Sequence, residues 1–161
     1  MADQRAVFTD KFTEIEQELY RIAFLWLKNR DDALDCVQEA AFKCFKSYSR
    51  LREPKYFKTW VVRITINCAK DILRSRGAEV SIDDAEPAVE PTASAEQEVL
   101  SRLTLSEMLK RLTETERGVL VLRHAYGYGF TEIAEMMEMP YGTVKSVCYR
   151  AIEKLKKEDL V

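Results

Sequence analysis

The side chains in this chain that could do chemistry are mostly basic, amide and hydroxyl groups set at helical spacing. Thr59, Arg63, Asn67, Lys70 and Arg74 recur at i, i+4, i+8, i+11 and i+15, one polar ridge along a single helix. Arg, Lys and Asn are the types that hydrogen-bond phosphates and base edges. Beside the ridge stand Arg52, Lys55, Tyr56, Phe57 and Trp60, and basic residues interleaved with aromatics suit single-stranded nucleic acid, whose unstacked bases need flat partners. A second set, Tyr141, Thr143, Lys145, Ser146, Tyr149 and Arg150, occupies the outward positions of a helix near the C-terminus. A third, Asp35, Gln38, Glu39 and Phe42, also falls at three-and-four spacing, and an aromatic among polar groups marks a protein-binding face. Catalytic arrangements are missing: there is no glycine-rich phosphate loop and no nucleophile–base pair. His124 is the single histidine, and its place in LRHAYG reads as a helix end, where a cation is favoured. Cys36, Cys44, Cys68 and Cys148 form no C-x-x-C pair, so they read as free, buried thiols and not as zinc ligands. No enzyme, metal or cofactor is expected.

Apolar residues make up 47% of the 161 residues and charged ones 32%, with only five Gly and four Pro, and the apolar spacing is mostly three-and-four. The expected fold is therefore all-α. No apolar run reaches the ~20 residues of a membrane span, and the N-terminus lacks a signal-peptide core, so the expected location is cytoplasmic. The stretch GAEVSIDDAEPAVEPTASAEQ reads as a flexible acidic linker over 77–97, between helical domains at 1–76 and 98–161. Net charge is −2, but it is unevenly spread: residues 43–76 hold ten Lys/Arg against Glu53 and Asp71, residues 78–98 hold seven carboxylates and no base, and residues 141–157 hold five Lys/Arg against Glu153. Two basic blocks thus flank a segment that repels a polyanion.

In the first domain the spacing predicts helices over 6–28, 31–49 and 55–75. The second should bury Leu34, Val37, Ala41, Phe45 and Tyr48, and the third Phe57, Trp60, Val61, Ile64, Cys68 and Ile72. In the second domain a helix is expected over 96–111, and Thr113 with Glu116 forms a capping box for a helix running to about His124. FTEIAEMMEMPYGTVKSVCYRAIEKLKK then reads as a helix-turn-helix, with helices over 130–138 and 142–157 and a turn at MPYG eased by Gly142. Val144, Cys148, Ala151 and Leu155 should pack inward. The N-terminal half of such a second helix enters the major groove, where Lys, Ser and Arg meet base edges or phosphates.

These blocks together resemble the extracytoplasmic-function sigma factors of bacterial RNA polymerase over almost the whole chain. DDALDCVQEAAFKCF is similar to their region 2.2, FKTWVVRITINCAKDILR to regions 2.3 and 2.4, and LTETERGVLVLRHAYGYGFTEIAEMMEMPYGTVKSVCYRAIEKL to region 4. The resemblance implies a transcription initiation factor whose partners are core polymerase and promoter DNA. It implies that Asp35, Gln38, Glu39 and Phe42 dock on the β′ clamp helices. It gives the melted −10 element to Arg52, Lys55, Tyr56, Phe57, Thr59, Arg63, Asn67, Lys70 and Arg74. It gives the −35 duplex to Tyr141, Thr143, Lys145, Ser146, Tyr149 and Arg150, and a contact with the β flap to region 4. Many members are restrained by a membrane-anchored anti-sigma factor, which the resemblance brings in as a further partner. A linker of this length reaches roughly 60 Å, comparable with about 17 base pairs. Three departures stand out: Val147 where the family often has Arg or another polar group, Glu138 where Gly is frequent, and Gly129 in place of the usual Ser. The competing reading is a stand-alone helix-turn-helix regulator that binds an operator as a dimer; it accounts for residues 113–157 alone.

Overall fold

A computed structural model describes residues 2–76 and 107–159. The chain divides into two compact units, Met1–Glu86 and Pro87–Val161. The linker expected over 77–97, and most of the helix expected over 96–111, lie outside the described residues. All described elements are helical, as the apolar spacing predicts.

The first unit holds α1 (Ala2–Leu27), α2 (Arg30–Ser47) and α3 (Phe57–Arg76). The polar KNRDD stretch separates the first two. Lys28 takes a left-handed backbone, φ 53°, and its N–H donates to the Phe24 carbonyl at 2.8 Å. Asn29 then caps α2, its side chain accepting from the Asp32 N–H at 3.0 Å, and Asp31 and Asp32 favour the positive end of the helix dipole. Two 3₁₀ turns, Tyr48–Arg50 and Pro54–Tyr56, link α2 to α3.

The buried side of α2 differs from the expected one. Ala33, Cys36, Val37, Ala40 and Cys44 are buried, whereas Leu34 is 48% and Phe45 45% exposed. α2 packs against both α1 and α3, so its inner positions take small side chains that let two helices approach. Leu34 and Phe45 are left at its margins. On α3 the buried set is Phe57, Thr59, Val61, Val62, Thr65, Ile66, Cys68 and Ala69, with Trp60, Ile64 and Ile72 half-buried. The Thr65 hydroxyl donates to the Val61 carbonyl at 2.9 Å, and the Cys36 thiol donates to the Thr65 carbonyl at 3.4 Å. Phe8 gathers Phe12, Phe45, Tyr48 and Phe57 at 5.4–6.0 Å between centroids and closes one end of the core. Lys58–Glu18 and Arg76–Asp32 ion pairs tie α3 to the other two helices. All four cysteines are free and buried. Burial, reinforced by the neighbouring Cys68 thiol, pushes Cys36 and Cys44 up to about 12, so neither forms a reactive thiolate at neutral pH.

The second unit holds a helical stretch at 107–110, then α4 (Glu114–Leu120), a π turn (Val121–Ala125), α5 (Phe130–Met137) and α6 (Tyr141–Asp159). The expected capping box is present. The Thr113 hydroxyl accepts from the Glu116 N–H at 3.2 Å, and the Glu116 carboxylate accepts from the Thr113 N–H at 2.9 Å. The same carboxylate accepts from Lys154 at 2.8 Å, fastening α4 to α6. The buried Arg117 guanidinium donates to the carbonyls of Leu109 (3.0 Å) and Leu112 (3.3 Å), which end the preceding helical stretch. Ile133, Met136 and Met137 of α5 are buried, as are Val144, Val147, Cys148 and Ala151 of α6.

The turn of the helix-turn-helix is Glu138–Met139–Pro140, one step earlier than expected. Glu138 is left-handed, φ 54° and ψ 49°, and Met139 N–H donates to the Ala134 carbonyl at 2.9 Å. Gly142 lies inside α6, where an added Cβ would meet nothing within 4 Å, so it eases no tight passage. The strain of the turn is carried by Glu138. Glu138→Gly is expected to stabilise the fold by about 1 kcal/mol, read as a rise of several degrees in the melting temperature.

Glu116 is 3% exposed. Burial alone would raise its pKa, but hydrogen bonds from Lys154 and Thr113 outweigh that and hold it below the ordinary carboxylate value. A depressed folded pKa adds stability that is present above the unfolded value, near 4.5, and is lost as pH falls through the folded one. Glu116→Gln should therefore lower stability at pH 7 and flatten the acid limb of a denaturation profile between about pH 5 and pH 3; an unchanged acid limb would sink this account.

Candidate nucleic-acid interface

The outward side of α3 is set by what its inward side must bury. Arg63, Asn67 and Lys70 are half-exposed and Arg74 is exposed, so four members of the ridge face outward. Thr59 does not: at 8% exposure it belongs to the packed side of the helix. Phe57, 6% exposed, is likewise interior, touching Phe8, Tyr48 and Trp60, with the Lys11 ammonium 5.5 Å from its ring. Both residues therefore support the surface and do not form it. Arg52, Lys55 and Tyr56, on the connection before α3, are exposed. Tyr56 is 50% exposed and carries the Lys55 ammonium 5.1 Å from its ring centroid, a flat face beside a cation. Arg74 pairs with Asp71 at 3.4 Å, an exposed contact that a phosphate can displace.

Facing this side of α3 is the end of α2. Lys43, Lys46, Ser47 and Arg50 from α2 and its 3₁₀ extension, with Ile64 and Asn67 from α3, line an open groove of about 520 Å³. The lining thus combines three cations with an apolar side chain (Ile64), an amide (Asn67) and a hydroxyl (Ser47). Lys43, Lys46, Ser47 and Arg50 recur at i, i+3, i+4 and i+7, so their stripe was present in the sequence. It did not stand out because the charge was spread over the whole block 43–76. The adjoining stripe of α2, on its outward side, presents Asp35, Gln38, Glu39 and Phe42, all exposed. Phe42 is 60% exposed, with the Lys46 ammonium 4.9 Å from its ring, and Leu34 extends the apolar strip. An acidic and apolar strip of this kind repels phosphate and fits a protein surface.

In the second unit α5 and α6 form the helix-turn-helix. Glu132 caps α5 by accepting from the Gly129 N–H at 3.0 Å, which compensates for the missing cap hydroxyl. Tyr141, Thr143, Ser146, Tyr149 and Arg150 are exposed and Lys145 is half-exposed, all on the outward side of α6. The Ser146 hydroxyl donates to the Gly142 carbonyl at 3.0 Å and keeps its lone pairs as acceptors. Val147, where the family often has Arg or another polar group, is 8% exposed and packs inward as a core position of this helix. Two residues outside the expected set join this surface. Phe130, the first residue of α5, meets Tyr141 and Tyr149 edge-on, and the Arg123 guanidinium lies 4.4 Å over its other side. The cation of Arg123 also opposes the upward shift that burial gives the Cys148 thiol. No sequence spacing links 123 and 130 to 141 and 149; only the packed unit does. Among the described residues no group of His, Cys, Asp and Glu could hold a metal ion, and no helix is long and apolar enough to cross a membrane.

Each of the two units matches a known protein family. Residues 12–79 match the sigma-70 region 2 family, and residues 102–155 match the sigma-70, region 4 family. RNA polymerase sigma factor SigV of Bacillus subtilis is 32% identical over 160 residues, covering 97% of this chain and 95% of the relative. The ECF RNA polymerase sigma-E factor of Escherichia coli K12 is 34% identical over 137 residues, 77% of this chain and 72% of the relative. In fold, the chain is similar to the sigma factor RpoE solved with the anti-sigma factor NepR from Bartonella quintana, with a TM-score of 0.78, 23% identity, and coverage of 93% of this chain and 94% of that one. It is also similar to CnrH solved with the cytosolic domain of CnrY, with a TM-score of 0.69, 19% identity, and coverage of 95% and 87%.

Proposed function

The chain belongs to the sigma-70 family of RNA polymerase sigma factors, in its extracytoplasmic-function group, and from that premise we propose how its surfaces divide the work. The first unit takes the melted −10 strand, the second reads the −35 duplex, and the acidic-apolar side of α2 docks on the β′ clamp helices of core polymerase. The protein has no catalysis of its own and acts in the cytoplasm, where polymerase supplies the chemistry. Its further protein partners are the β flap, for the second unit, and an anti-sigma factor.

The observation that carries this reading is the groove lined by Lys43, Lys46, Ser47, Arg50, Ile64 and Asn67. A base extruded from the stack needs an apolar surface and a hydrogen-bonding group, and its flanking phosphates need cations. Ile64 supplies the first, Asn67 and Ser47 the second, and Lys43, Lys46 and Arg50 the third. Arg63, Lys70 and Arg74 continue the positive track along α3, and Tyr56 offers a stacking face. Arg52 and Lys55 add charge at its start. A dimeric helix-turn-helix regulator has no use for this groove or for an exposed Phe42.

On α6, Lys145 and Arg150 meet phosphates or guanine edges, Ser146 accepts at a base edge, and Tyr149 offers its ring to a thymine methyl. Tyr141 and Thr143 stand at the helix entrance, where backbone phosphates pass. RpoE is solved with the anti-sigma factor NepR, and CnrH with the cytosolic domain of CnrY. For this chain an anti-sigma factor, membrane-anchored as in many of the family, would act by covering the α2 side or the outward side of α6.

Run-off transcription with core polymerase on genomic fragments tests the reading and reveals the promoter. The full chain should direct initiation at discrete sites, and tight specific binding of free, dimeric chain to duplex DNA without polymerase would argue for the regulator instead. Asn67→Ala should reduce open-complex formation roughly tenfold with −35 binding intact. Asp35→Ala and Gln38→Ala should weaken holoenzyme assembly, and unchanged co-purification with core polymerase would remove that role from α2.

A further inference from the structure

Phe130 lies outside the recognition helix, yet it braces that helix at two points. Its ring centroid is 6.3 Å from that of Tyr141 at 88° and 6.4 Å from that of Tyr149 at 60°. The two tyrosines are separated by about 12 Å along the axis of α6, so one ring supports both ends of the outward face. Tyr141 and Tyr149 are 51% and 56% exposed. Side chains this open would sample several rotamers if nothing held one side of each ring.

Phe130 is itself held. The Arg123 guanidinium lies 4.4 Å from its centroid, within cation–π range. Arg123 is anchored in turn, donating from Nη1 to the Tyr128 carbonyl at 3.2 Å, and Tyr128 is 6% exposed. The π turn Val121–Ala125 carries Arg123, and it closes through the Tyr126 N–H to the Val121 carbonyl at 3.2 Å. A guanidinium, a phenyl ring and two phenol rings therefore form one continuous stack, running from the wide turn after α4 to the DNA-facing side of α6.

We infer that Phe130 is a positioning residue for duplex reading, with Arg123 as its anchor: together they fix how Tyr141 and Tyr149 are presented, and so which base edges and methyl groups those rings meet. The inference rests on the −35 role of α6 proposed above. It assigns sequence discrimination to two residues, neither of which stands on the recognition helix. Arg is required over Lys because stacking on Phe130 and reaching the Tyr128 carbonyl need a planar, delocalised cation.

The test uses holoenzyme reconstituted with the full chain. Transcription is measured from a promoter recovered with the wild-type holoenzyme and from the same promoter with its −35 element scrambled, and the ratio is the readout. Phe130→Leu keeps the apolar packing and removes the ring; Arg123→Ala and Arg123→Lys remove the stacked guanidinium; Phe130→Tyr keeps the ring. Phe130→Leu and Arg123→Ala should each lower the ratio roughly three- to tenfold, and the double variant should lose no more than the larger single loss, because both act through the same two rings. Arg123→Lys should resemble Arg123→Ala, and Phe130→Tyr should retain the wild-type ratio. Additive losses, a wild-type ratio for Phe130→Leu, or an equal fall on both promoters would overturn the inference. Co-purification with core polymerase and a cooperative thermal melt, measured for each variant, identify an equal fall as an assembly or folding defect. A wild-type holoenzyme indifferent to the scrambled element would instead overturn the −35 reading and the inference with it.

Discussion

The close approach of α3 to α2 is the constraint on which the first unit depends. Ala33, Cys36, Ala40 and Cys44 give α2 an inner side with little bulk, so α1 and α3 both pack on it. Apart from Val37, the larger residues of α2 are then assigned to a surface. Lys43, Lys46 and Ser47 line the groove with α3; Asp35, Gln38, Glu39 and Phe42 form the adjoining outward stripe. A bulky residue at position 40 or 44 would push α3 outward and widen the groove, since well-packed interiors transmit a volume change to their neighbours. The buried thiols fit this picture. Burial raises their pKa, so they serve as small apolar packing groups with weak donors, and the Cys36 thiol spends its hydrogen on the Thr65 carbonyl.

The second unit solves a related problem with polar groups. Two of its helices, α4 and α5, are short, so side-chain ties at the helix ends do much of the fixing. Glu116 ends α4 by capping and reaches α6 through Lys154, while Arg117 satisfies carbonyls that the preceding helical stretch leaves open. Both groups are almost wholly buried and both are hydrogen-bonded, the condition under which buried charge is tolerated. The turn before α6 stores a left-handed Glu138, a cost of about 1 kcal/mol, and the packing of Ile133, Met136, Val144 and Cys148 holds it there. The outward side of α6 is thus presented by a frame whose strain lies in the turn and not in the reading helix.

Much of this was legible in the sequence, and the failures have common causes. Helix existence followed from apolar spacing, the capping box from Thr113 and Glu116, and the helix-turn-helix from Pro140 with the polar run after it. The buried side of α2 was misjudged because Leu34 and Phe45 outrank Ala and Cys on any hydrophobic count, whereas a helix packed on two sides selects for small size. Thr59 falls on the ridge by spacing alone, and the resemblance gives Phe57 a DNA contact although its own spacing is apolar; the first turn of α3 enters the aromatic cluster around Phe8. Val147 departs from a polar family position because here it is packed inward. The groove needed two helices at once, and the Arg123–Phe130 stack needed a turn between them, so periodicity within one helix could not reveal either.

Charge placement explains why an acidic chain suits this work. The groove and ridge draw on the +8 of residues 43–76, and α6 on the +4 of residues 141–157, while the seven carboxylates of 78–98 and an acidic excess over the rest of the chain bring the total to −2. Phosphate contacts act over about a Debye length, near 8–10 Å at physiological salt, so local charge and not net charge governs binding at each surface. Binding that rests on phosphate contacts weakens as salt rises, in proportion to the number of phosphates neutralised. Linked in one chain and held by a common partner, the two surfaces act with a raised effective concentration, and their free energies combine. On the reading proposed above, promoter selection gains from both surfaces engaging at once.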